Sequence, residues 1–76
     1  MKDFEAALEA YRRYLARYPG GPDAPEAKFR LGVILARYRK EYFRAREYLL
    51  QVVVEHPDPE IVKFARKELE RVSENL

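Results

Sequence analysis

The chain has 76 residues, no cysteine, and 15 basic against 13 acidic residues, a formal net charge of +2. That length supports one domain with a modest core, so residues 1–76 are read as a single unit, with a stability of about 0.05–0.15 kcal/mol per residue. The absence of cysteine excludes a disulfide framework and a thiolate metal site, and the charge excess is far smaller than a dedicated nucleic-acid binder carries.

The longest apolar run, YLLQVVV (48–54), is interrupted and too short to span a membrane. The opening MKDFEAALEA carries acids where a signal peptide needs an apolar core. With Met1 as the native start, the expected location is the cytoplasm.

Glycine and proline cluster at YPGGPDAP (18–25) and HPDP (56–59), dividing the chain into three blocks. In the first, Asp3 to Tyr18, helical spacing puts Phe4, Ala7, Leu8, Tyr11, Tyr14, Leu15 and Tyr18 on one face. Glu5, Glu9, Arg12 and Arg13 take the other. Asp3 is placed to cap the start, and Glu9 and Arg13 form an i,i+4 pair.

The second block, Ala24 to His56, exceeds one ordinary helix. Pro25 and Glu26 suit the first turn of a helix whose apolar band is Phe29, Val33, Ile34 and Leu35. RYRKEY (37–42) interrupts that band, which places a tight turn at Arg39–Lys40 without a glycine. The next helix, Glu41 to Glu55, is apolar almost all round and is expected at the centre, with neighbours on several sides.

The third block begins with Asp58 as N-cap and Pro59 at the first helical position, and runs to Asn75. Its single stripe is Ile61, Phe64, Ala65, Leu69 and Val72, with Leu76 a candidate to extend it, and Lys63, Arg66, Lys67, Glu70, Arg71 and Glu74 face water. That is the pattern of a capping helix, with Phe64 and Leu69 expected to pack over the 41–55 helix.

DFEAALEAYRRYLARYP (3–19) and EYFRAREYLLQVVVEHP (41–57) repeat one pattern 38 residues apart, Asp3 to Glu41. Each has an acid and an aromatic at the start, alanine at the fifth position (Ala7, Ala45), a larger apolar residue four further on (Tyr11, Leu49) and a closing proline (Pro19, Pro57). Four helices with this self-similarity read as a helical-hairpin repeat. The first copy resembles the second helix of a tetratricopeptide repeat. PEAKFRLGVILARY (25–38), with Leu31 and Gly32 as the family's leucine–glycine pair, resembles the first helix of the next. RYPGGPDAPEAKFRLG is similar to the long-linker variety of bacterial envelope proteins.

The resemblance implies an all-α fold: a four-helix antiparallel repeat stack of half a repeat, one full repeat and a C-terminal capping helix, with Gly32 facing Ala45. The family's turn glycine is replaced by lysine near residue 40, where the chain also has one extra residue. The resemblance further implies a non-catalytic protein-interaction or scaffold module, with a groove formed at Glu26, Phe29, Arg30, Val33 and Arg37. Phe29 and Val33 stand where the family's carboxylate-gripping residues would be, so an apolar peptide or helix is the expected ligand. The chain's own terminal helix is an alternative occupant.

Other chemistry finds little support. His56, the only histidine, precedes Pro57 at a helix end, where a dipole contact is expected rather than catalysis or metal binding. Glu5/Glu9, Glu26 and Glu70/Glu74 are ordinary for solvated helix faces, and Gly20 and Gly21 lack the phosphate-loop pattern. No nucleophile–base set is visible, so no enzyme activity, cofactor or metal is expected. Arg37, Arg39, Lys40, Arg44 and Arg46, interleaved with Tyr38 and Tyr42, gather positive charge around one turn. This is the alternative reading: a small basic adaptor for nucleic acid or an acidic peptide through residues 37–46, against a merely solvated turn. Ala7, Tyr11, Tyr14 and Leu15 lack a preceding partner helix, which points to a homodimer through the first helix, unless the terminal helix folds back over it.

Overall fold

The computed structural model describes residues 2–55 and 58–76, the Lys2 side chain excepted. Met1, His56 and Pro57 lie outside the described residues, so the helix-end contact expected of His56 and the stop expected of Pro57 do too. The elements in order are α1 (Lys2–Arg17), α2 (Ala24–Ile34), α3 (Tyr42–Glu55) and α4 (Pro59–Ser73), with a π-helical segment, Leu35–Arg39, continuing α2. The described residues contain no strand, in keeping with the all-α reading.

Helix α1 starts at Lys2, so Asp3 is not the cap. It lies in the first turn with Glu5, where negative charge suits the positive end of the helix. After Arg17 the chain leaves the helix through a turn in which Gly21 N–H donates to Tyr18 O at 3.0 Å. Tyr18 is thereby exposed rather than on the apolar face. Proline stands in the first turn of α2 and α4, and the Asp58 carboxylate accepts from Glu60 N–H at 2.8 Å, capping α4 as its sequence indicates.

The turn falls at Lys40, whose φ of 56° is left-handed. Lys40 N–H and Glu41 N–H both reach back to Leu35 O, the latter at 2.9 Å, closing the end of the π segment. A π turn holds one residue more than an α turn, so it takes up the extra residue without shifting the helices on either side.

Helix α3 packs between α2 and α4, and the core is their shared layer: Leu31, Leu35, Ala45, Leu49, Val52, Ala65 and Val72 are all fully buried. Gly32 lies against α3 as expected. A Cβ there would stand 2.8 Å from Leu49 Cγ and 3.4 Å from Ala45 O.

Two further sequence expectations are met only in part. Helix α3 is flanked by α2 and α4, but its outer stripe of Phe43, Leu50 and Val54 is exposed because no described helix covers that third side. In α4 the residues turned into the core are Val62, Ala65, Glu68 and Val72, with Leu69 half-buried; Phe64 is 53% exposed and does not pack over α3. This rotation buries a carboxylate in place of a ring. It is tolerated because Arg37 binds Glu68 through two hydrogen bonds, both 3.0 Å.

Candidate functional site

A groove of about 660 Å³ opens between α1, α2 and α4. Phe29 and Val33 of α2 form its floor, Phe4, Ala7 and Tyr11 of α1 one wall, and Phe64, Lys67 and Arg71 of α4 the other. Helix spacing accounts for each wall: 4, 7 and 11 fall on one face of α1, and 64, 67 and 71 on one face of α4. The terminal helix is therefore a wall of the groove and does not fill it.

Four of the five residues assigned to the groove from the sequence, Phe29, Arg30, Val33 and Arg37, line it. Glu26 instead lines an adjoining hollow of about 540 Å³ with Tyr11, Tyr14 and Arg30. Its carboxylate accepts from Arg30 Nε at 3.0 Å and, as the largest influence, holds the Arg30 guanidinium above its usual pKa range. Arg37 is likewise raised, chiefly by its hydrogen bonds to Glu68.

The residues assigned to self-association divide. Ala7 and Tyr11 face the groove, the Tyr14 hydroxyl accepts from Asp23 N–H at 3.1 Å, and Leu15 packs against the core.

Most of the basic cluster around residues 37–46 is neutralised. Arg39 donates from Nε to Glu41 at 2.8 Å and from one terminal nitrogen to both Glu5 oxygens at 3.0 and 2.8 Å. Arg39 in turn draws the Glu41 pKa below the ordinary carboxylate range. Arg44 lies 3.9 Å from Glu41, and Arg37 is held by Glu68. Tyr38 is stacked on Phe4, with ring centroids 3.6 Å apart and planes 20° from parallel, so it does not offer a free stacking face on that side. Only Lys40 and Arg46 of the cluster lack an ion pair among the described residues.

Sequence reasoning missed Phe4, Phe64, Lys67, Glu68 and Arg71 as members of this region. One signal was available. Residues 62, 65, 68 and 72 share a helical face, and a glutamate among apolar residues there requires a cationic partner. Among the described residues, no group of three or more histidine, cysteine or acidic side chains is arranged to hold a metal ion, and no helix is long and apolar enough to cross a membrane. The groove is apolar and aromatic at the base and cationic along one rim.

No curated protein and no solved structure is significantly similar to the chain. A tetratricopeptide repeat family model matches residues 1–21 and 26–59, which include α1, the α2–α3 hairpin from Glu26 onward and the Gly32–Leu49 contact. On that match and the helix order, the chain belongs to the tetratricopeptide repeat family.

Proposed function

We propose that the chain is a non-catalytic protein-interaction module that binds its partner in the groove between α1, α2 and α4. Repeats of this family generally mediate protein–protein interactions. The observation that carries the assignment to this face is the grouping of Phe4, Tyr11, Phe29, Val33 and Phe64 around one open concavity, with Phe64 53% exposed. Aromatic and aliphatic side chains around a concave surface supply the contact area that peptide recognition uses.

A photo-crosslinking amino acid in place of Phe64, compared with one at Arg13 on the opposite side of α1, tests the proposal in cells. Discrete protein adducts from position 64 and not from 13 are expected. Equal adduct patterns from the two positions would refute it.

A further inference from the structure

Helices α1 and α3 carry the same sequence pattern but differ in burial. In α3, Ala45, Leu49 and Val52 are fully buried, with α2 seated on them and Gly32 at the point of closest approach. The matching residues of α1, 38 positions earlier, are Ala7, Tyr11 and Tyr14, and each is only half-buried. The position that α2 takes against α3 is thus vacant against α1 among the described residues, and the groove takes in its Ala7–Tyr11 part. Along α1 it runs from Asp3 to Tyr11, roughly two helical turns or about 12 Å.

The groove's charge is one-sided. Arg30 and Arg37 are held by Glu26 and Glu68. Lys67 and Arg71, one turn apart on α4, line the groove and make no ion pair among the described residues. Opposite them the groove offers one further acid, Asp3, at the start of α1.

We infer that the groove receives an amphipathic α-helix from a partner protein, with two acidic residues one turn apart on the flank that faces Lys67 and Arg71. The inference rests on the groove being the binding surface. The visiting helix takes the place that α2 takes against α3. It therefore needs a small residue over Ala7 and Tyr11, as Gly32 is small over Ala45 and Leu49. Glutamate or aspartate at i and i+4 of the visitor then meets the i and i+4 cations of α4.

The test is selection from a displayed library of 18-residue helical peptides, with a fixed leucine–alanine stripe and randomised flanks, on the full chain and on the Lys67→Glu/Arg71→Glu variant. Both substitutions are on exposed positions. The inference expects acidic flanks to be enriched on the unmodified chain, and the selected peptides to bind the variant about two- to thirtyfold more weakly by fluorescence anisotropy, the range for two rim ion pairs. Selected peptides without a charge preference, or with one that survives the reversal, would overturn the acidic-helix inference and leave the groove reading intact. No enrichment at all, or binding unchanged by Val33→Asp, would overturn both. A chain that is dimeric by light scattering, and made monomeric by Tyr11→Glu, would assign the groove to a second copy and overturn the inference.

Discussion

Replacing Gly32 with alanine sets a helix-propensity gain against a steric cost. The new Cβ would stand 2.8 Å from Leu49 Cγ, 2.9 Å from Leu49 Cδ2 and 3.4 Å from Ala45 O. Carbon pairs rest at about 3.5–4.0 Å, so something must move. Leu49 is fully buried in the core layer. It must leave its rotamer, or α2 and α3 must separate. Overpacking of this kind costs roughly 1–3 kcal/mol, and exchanging a mid-helix glycine for alanine returns roughly 0.5–1 kcal/mol. The net expectation is a loss of about 1 kcal/mol, which lowers Tm by roughly 4–8 °C in a domain of this size. Leu49→Ala alone should cost about 2–5 kcal/mol by opening a cavity. In the double variant the added methyl enters that cavity, so the two losses should sum to less than additivity by about 1 kcal/mol. Thermal melts followed by circular dichroism measure all three. A Gly32→Ala chain that melts higher than the unmodified one, or a strictly additive cycle, would show that the helices do not meet at this point.

The Arg37–Glu68 pair should be asymmetric, because the Glu68 side chain is 7% exposed and that of Arg37 is 46% exposed. Arg37→Met strands a buried carboxylate and should cost roughly 1–3 kcal/mol in urea denaturation, whereas Glu68→Gln leaves an arginine that reaches water and should cost less; the reverse order would contradict the geometry. Lys40 holds a left-handed φ of 56°, so Lys40→Gly should raise stability by up to about 1 kcal/mol and Lys40→Val should lower it, with equal melting temperatures counting against the turn as drawn. Glu41 has a pKa depressed in the folded chain, first by Arg39. Its stabilising contribution is therefore complete above the unfolded value of about 4.3 and lost as the pH falls through the lower folded value. Urea midpoints of the unmodified chain and Glu41→Gln should differ at neutral pH and converge below that window; a constant gap across pH would rule out this linkage.

Local rules written in the sequence determined where α2 and α4 start. Pro25, Asp58 and Pro59 do so because their covalent geometry or side-chain acceptor acts within one turn, whatever surrounds them. The 38-residue recurrence and the small pair at Gly32 and Ala45 likewise announced the hairpin stack, since close helix approach demands small residues at the crossing.

Tertiary structure alone decided how far each helix is rotated about its axis and what its neighbours leave open. The stripe of α4 can be drawn through Phe64 or through Glu68 with nearly equal periodicity. Arg37, 31 residues earlier, settles the choice by pairing with the carboxylate and turning the phenylalanine into the groove. Composition shows a basic cluster at residues 37–46, but Glu5 and Glu68, from distant parts of the chain, together with Glu41 inside the cluster, neutralise most of it. Helix α3 is apolar enough for neighbours on several sides, yet Phe43, Leu50 and Val54 stay exposed because no helix among the described residues covers that face. Apart from the local pairs of Glu41, each outcome depends on which residues far apart in sequence come together and which do not. Periodicity, which is a property of one helix at a time, carries no record of which partner stands opposite.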